Sequence, residues 1–272
     1  MLCNLQDKEN GLVYMSKQIL LDVELRNYFN DFGKNCVIYP GVEVGEGVSL
    51  GHFVLIYNNV KIGDNVRISD RVTLGENPKE GLETKIGECT RIFSGATIQS
   101  GTIIGKNFTM GSNAVIRTNS IVGDDVILGL GSEIGANVKI GSDVKMNSHV
   151  FVPDYTEVGD HTYLGPYVVV TNTLHPRCPK VWECIPKTGV KIRDYAIVGA
   201  GSLLMPEIEI GEHAIVGAGS VVIKSIEPYS IVVGNPAKKI KDVRDIKCPE
   251  RIALIEENPY DARLIELRMR GK

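Results

Sequence analysis

The chain has 272 residues, 43% of them hydrophobic and only 6% aromatic, with 29 glycines. Lys and Arg number 30 against 33 Asp and Glu, a formal net charge of −3, so there is no basic excess of the kind a nucleic acid would call for. No run of about 18 apolar residues is present, which argues against a membrane-inserted helix. The opening MLCNLQDKENG turns polar within a few residues, and six cysteines lie scattered along the chain. Both features favour a cytoplasmic protein with reduced thiols.

Residues 1–35 form an N-terminal segment, in which Ser16 is placed to cap a helix through Gly33 with Ile19, Leu20, Val23 and Phe29 on one side. From Ile38 every sixth residue is apolar: Val44, Leu50, Ile56, Ile62, Ile68 and Leu74. The phase breaks over 75–85, resumes at Ile86 and runs to Val170, breaks again over 171–189, and returns from Ile192 to Val222. Two residues before each apolar position stands a small or β-branched residue, such as Val48, Val60, Ala96 or Ser132. Gly often follows it directly, and Asn, Asp or His recurs two residues later, as at Asn65, Asn107, Asp143 and His161. An apolar pair spaced by two faces one side of a short strand. Gly and Asn tolerate a left-handed backbone, so a sharp corner closes each hexad. Three strands and three corners make a triangular coil of about 18 residues, stacked at roughly 4.8 Å. The expectation is therefore an all-β parallel solenoid of about nine coils over 36–236, with loop excursions at 75–85 and 171–189. The second excursion is a long loop holding Trp182, and long loops that a scaffold does not need are functional candidates. The tail 237–272 reads as a helical cap, with Pro249 placed to start one helix and Pro259 to separate it from another.

The stretch AIVGAGSLLMPEIEIGEHAIVGAGSVVIKSIEPYSIVVGNPAKKI resembles the C-terminal signature of hexapeptide-repeat acyltransferases. YLGPYVVVTNTLHPRCPK before it resembles the subgroup that N-acylates nucleotide-linked deoxyamino sugars. The resemblance implies a left-handed β-helix, acetyl-CoA or another acyl-CoA as co-substrate, a nucleotide-sugar acceptor, and a homotrimer with sites between subunits. Gly-Ala-Gly at 199–201 and 217–219 strips side chains from successive corners. Gly199, Ala200, Gly217 and Ala218 would then line a groove for a pantetheine arm. Lys224, Pro236, Lys238 and Lys239 lie near its end, the lysines suited to phosphates.

The resemblance also implies that Asn172, after the Val-Thr pair, orients the acceptor. His175 and Arg177 follow on the same loop and can contact sugar or phosphate. A thioester is already activated, so an amine needs placement and oxyanion stabilisation, and the departing thiolate can take its proton. The chain departs from the family pattern at MGSNAVIRT, where Ser112 and Asn113 replace the usual Gly-His pair and Arg117 is retained. It departs again at Gly135, where a Glu is usual, although Glu133 is nearby. Asn113, Arg117, Glu133 and Arg177 are the candidate acceptor contacts. His149 occupies a corner position and reads either as a base or as a structural corner residue like His161 and His213. His175, Cys178, Cys184 and Cys248 have the ligand types for a structural zinc at irregular spacing, and the simpler expectation is thiols packed against the loop with no metal. The competing functions are an O-acyltransferase, which needs a His base, and a non-catalytic solenoid scaffold. The acyl-carrier-protein users of lipid A assembly carry a His-Asp run that is absent here.

Overall fold

The computed structural model describes residues 6–7, 12–13, 29–77, 81–175, 177–180 and 189–247. Short strands of mostly two residues stack into three sheets of ten, nine and twelve strands. Face I runs from Val37–Ile38 to Val221–Val222, face II from Glu43–Val44 to Glu209–Ile210, and face III from Phe29–Phe32 to Lys238–Asp242. Every pairing within faces I and II is parallel. Residue i pairs with i+18 through the regular coils, as Val115 does with Glu133, and with i+16 at the last turn, where Ile215 meets Ile231. The molecule is a parallel β-solenoid of about eleven turns, consistent with a left-handed β-helix. Two rungs beyond the run of Ile38 to Val222, Phe29–Phe32 in the hexad phase and Ser230–Val233 out of it, lengthen it beyond the nine coils that the spacing predicts.

The interior is built from two columns per face. From Leu50 to Val222 every sixth-position residue is buried, and Ile38 and Val44 at the first coil are partly covered. The residue two before it is buried as well, a small or branched side chain at almost every coil, with Phe108 the large exception. At several Ser and Thr of this column the hydroxyl bonds a carbonyl, as Ser120 donates to the Gly135 oxygen at 2.8 Å, whereas the hydroxyls of Thr90 and Thr156 are buried without a partner. Where it bonds, a small hydroxyl fills the tight inner corner and satisfies backbone at once.

The corners divide the work differently from the sequence expectation. The left-handed residue is the third after the apolar position, where Asn65, Asn107 and His161 have φ of 56°, 55° and 57°. The glycine directly after the apolar position is needed for closeness, not for φ. A Cβ on Gly123 would stand 2.7 Å from the carbonyl carbon of Gly141 in the next coil, well inside contact distance.

Both ends differ from the helical expectations. Phe29–Phe32, inside the predicted helix to Gly33, is a strand that pairs parallel with Val48–Leu50. The open edge of the first coil offers unpaired backbone groups, and that outweighs the helical spacing of the apolar side chains. Lys238–Asp242 turns back antiparallel on Ser230–Val233 and leads into a 3₁₀ turn, Val243–Asp245. The cap over 237–247 is therefore a strand and one turn, and the rest of the predicted cap lies outside the described residues, as do Trp182, Cys184 and Cys248. Among the described residues Cys36, Cys89 and Cys178 are free thiols, no cluster of three potential metal ligands occurs, and no helix is long and apolar enough to cross a membrane.

Candidate functional site

Both excursions leave the prism at one corner, between faces I and II: 75–85 follows Leu74, and 171–189 follows Val170. That corner carries a polar column. The Arg117 guanidinium reaches past Gly135 to Asp154, Nη1 to Oδ1 3.2 Å. The same Asp154 oxygen accepts the Ala136 N–H at 2.9 Å. Gly135 has to be Gly here, because a Cβ would meet the Asp154 backbone nitrogen. Asn172 stands 18 residues after Asp154, on the next turn of the same corner, half-buried, with its Oδ1 accepting from the Thr173 hydroxyl at 3.1 Å. Glu133 lies on the outer side of face I between Val115 and Phe151. Arg117, Glu133 and Asn172 are thus brought to one edge of the prism. Asp154 joins them, and sequence reasoning missed it. The signal was its spacing of 18 below Asn172. His175 and Arg177 continue on the loop, both exposed.

Asn113 and His149 occupy a different corner, between faces III and I, both exposed and in the left-handed conformation. The His149 ring stacks on Tyr167 at 5.0 Å between centroids and lies where a Cβ on Gly131 would be 2.7 Å from it. Five residues of extended chain, about 16 Å, separate Tyr167 from Asn172, so His149 and Asn172 do not share a pocket within one chain. At the corner between faces II and III a longer stack forms. His161, Tyr195, His213 and Tyr229 follow one another at 4.6 to 4.8 Å, with Asp143 bonded to His161 Nδ1 at 2.9 Å. Corner rings in this fold therefore stack on one another, and His149 has that structural role too.

Above Tyr167 the III/I corner becomes bare. Gly201 and Gly219 follow in the left-handed position, and a Cβ on either meets nothing within 4 Å. Gly199 and Gly217, expected in the groove, are instead close-packed, a Cβ on them meeting the Ala218 backbone nitrogen and the Val233 side chain of the next coil. The open channel is edged by Ala200, Gly201, Ala218 and Gly219 and leads toward Gly234 and Pro236. Beside its end is a cavity of about 350 Å³ lined by Lys224, Lys238, Lys239, Pro236, Ile226 and Ser230, among others. The Ser230 hydroxyl is buried and has no hydrogen-bond partner. The four end-of-groove residues expected from the sequence are therefore together, at an apolar cavity with a cationic rim.

The repeat described as bacterial transferase hexapeptide (six repeats) matches residues 41–76 and 189–224, and the hexapeptide repeat of succinyl-transferase matches 120–151. These matched segments coincide with regular rungs of the solenoid. One matched segment holds the whole Gly-Ala-Gly groove, and another holds Glu133 and His149. A curated relative, the 2,3,4,5-tetrahydropyridine-2,6-dicarboxylate N-acetyltransferase of Ligilactobacillus salivarius, is 44% identical over 57 residues. That alignment covers 21% of this chain and about a quarter of the relative (24%). Among solved structures, the UDP-N-acetylglucosamine acyltransferase of Francisella novicida aligns at TM-score 0.50 and 21% identity, over 76% of this chain and 69% of that one; this likeness is one of fold. PerB from Caulobacter crescentus, solved with CoA and GDP-perosamine, aligns at TM-score 0.39 and 21% identity, over 57% and 59% of the two chains.

Proposed function

We propose that the protein transfers an acyl group, acetyl in the simplest case, from an acyl-coenzyme A to the amino group of a nucleotide-linked deoxyamino sugar. The observation that carries this reading is the bare Gly199–Gly219 groove ending at a cavity rimmed by Lys224, Lys238 and Lys239. A channel free of side chains suits a pantetheine arm, and the lysines suit its nucleotide phosphates. The N-acetyltransferase activity of the curated relative supports the reaction class. In a homotrimer, the polar corner of Arg117, Asp154 and Asn172 on one subunit would face the groove of its neighbour.

The neutral amine attacks the thioester carbonyl, a tetrahedral oxyanion forms and collapses, and the thiolate leaves and takes the amine proton. The products are an amide and free coenzyme A thiol. Asn172 can hold the amine or the oxyanion, and the Asp154 carboxylate, fixed by Arg117 and the Ala136 N–H, can accept a hydrogen bond from the amine. Free-thiol release from acetyl-CoA against a panel of nucleotide amino sugars tests the reading. Asn172→Ala should lower kcat/KM by about 10²–10³, and Asp154→Asn should mainly raise KM for the sugar. An O-acyltransferase would instead lose turnover on His149→Ala or His175→Ala, because a hydroxyl needs a base. A scaffold would release no thiol with any acceptor.

A further inference from the structure

The three faces of the prism present different surfaces to solvent. Of the nine outward residues that pair along face II, from Glu43 to Glu209, seven are charged. Face III mixes the two kinds, with Arg67, Arg91 and Lys145 in one column with Tyr163 and Ile197. Face I is nearly free of charge. Of its ten outward residues, from Val37 to Val221, Glu133 alone is charged and the others are Val, Leu, Phe or Thr.

The corner between faces III and I carries this apolar surface further. Phe53, Phe93, Leu130 and Tyr167 stand along it, each 45% exposed or more. Ten rungs at about 4.8 Å on a face about 16 Å wide make roughly 700 Å² per chain, close to the roughly 800 Å² that each partner gives to a stable contact. Monomeric proteins rarely leave so long an apolar surface open.

The two halves of the transfer site say what covers it. The corner of Arg117, Asp154 and Asn172 borders face I on one edge, and the channel beside Gly201 and Gly219 borders it on the other. Within one chain only the flat face lies between them. Copies related by an axis parallel to the prism stand at the same height, so the polar corner of one chain meets the channel corner of the next. Glu133, the one charge, is on the rung between those of Arg117 and Asp154, at the level where an acceptor would lie.

We propose that face I is the surface through which copies of this chain associate side by side, with face II turned to solvent. The shared site rests on the transfer reading, whereas the surface itself stands on charge and exposure.

Analytical ultracentrifugation of the full chain tests the surface. Wild type should sediment as an oligomer and stay one in about 1 M NaCl, because an apolar contact does not depend on screened charges. This measurement reads the surface without a substitution, should a variant fail to fold. Phe151→Asp and Leu203→Asp should each weaken association at least tenfold and shift the mass toward that of a single chain. Ile103→Asp and Ile121→Asp on face II, at sites 41% and 47% exposed, should keep the wild-type mass. A monomeric wild type, dissociation in salt, or wild-type mass in both face I variants overturns the proposal. So does dissociation by the face II variants alone.

The shared site has its own test in co-expression of Asn172→Ala with Gly201→His, a side chain these corners already hold at His149. An equal mixture should regain about a quarter of wild-type thiol release, the share of junctions that join two intact halves. No gain over the separate variants overturns the shared arrangement. A wild type that assembles through face I yet releases no thiol with any acceptor sinks the transfer reading and leaves the surface standing.

Discussion

At the scale of single residues, two kinds of glycine separate cleanly. Gly123 is held by its neighbour: an added Cβ would press on the Gly141 carbonyl 2.7 Å away. Gly201 is held by its φ of 66° and faces open space. Gly123→Ala should therefore cost about 1–3 kcal/mol by overpacking, and Gly201→Ala about 1 kcal/mol by backbone strain. Gly201→Asn should be near neutral in stability yet still weaken acyl-CoA, because it fills the groove. Denaturant midpoints and a ligand titration separate the two effects. The hexad made both positions visible in the sequence, but not which of them needed the left-handed backbone. Asp154 was hidden for a related reason. It sits two residues after a buried apolar position, where Asp64, Asp124 and Asp160 each accept an N–H from the turn below. Asp154 does this too, and only its second bond, to Arg117, separates it from a purely structural aspartate. That bond spans 37 residues, so no local pattern reports it.

Exposed charge pairs belong to the same scale. Arg193 holds the Glu209 carboxyl below its ordinary range, chiefly through the 2.8 Å hydrogen bond. Because the folded value lies below the unfolded one, the pair stabilises the fold at neutral pH, and its contribution fades as pH falls through the folded value. Both groups are nearly half exposed, so solvent screening limits the worth of the pair to about 0.2–1 kcal/mol. Arg193→Ala should lose that much at pH 7 and converge with wild type once pH has fallen through the folded Glu209 value. A urea midpoint series across pH checks the convergence.

At the scale of elements, the corner between faces II and III is a stacked column rather than a row of independent turns. Tyr195 touches rings on both sides, His161 at 4.7 Å and His213 at 4.6 Å, and the column ends with Arg244 over Tyr229 at 5.0 Å. Tyr195→Asn keeps a residue suited to the left-handed corner and removes only the ring. With two stacked pairs lost, at about 0.5–1.5 kcal/mol each, it should destabilise by about 1–3 kcal/mol, readable as a lower denaturant midpoint. A loss below 0.5 kcal/mol would mean that the rings merely lie near one another. The rungs themselves were legible as elements, since a period of six with two buried positions admits little else. The excursions were legible as loops, but not as neighbours on one corner. Their shared exit depends on counting faces through both breaks, and each break shifts the count by a different number of residues. The strand at Phe29–Phe32 was misread because helical spacing in the sequence says nothing of an open rung beside it.

At the scale of the whole molecule, each turn touches only the turns above and below, so stability is a sum of rung and interface terms and need not be uniform. The first coil is the weak end: Ile38 and Val44 are only partly covered, while Ile116 and Ile134 are fully buried. Amide hydrogen exchange should therefore be faster in the rungs of Ile38 and Val44 than in those of Ile116 and Ile134. The donor adds a directional effect. A ligand at one hundred times its Kd stabilises the state that binds it by about 2.7 kcal/mol, and in a stacked array that gain falls first on the turns it touches. Saturating acetyl-CoA should slow exchange across Gly199–Gly234 and leave the first coils unchanged, so the protection map would be lopsided toward the C-terminal end. Uniform slowing would point to a ligand bridging subunits along the full prism. No slowing anywhere would mean that the bare corner at Gly201 and Gly219 is only a packing device, and the chain a scaffold.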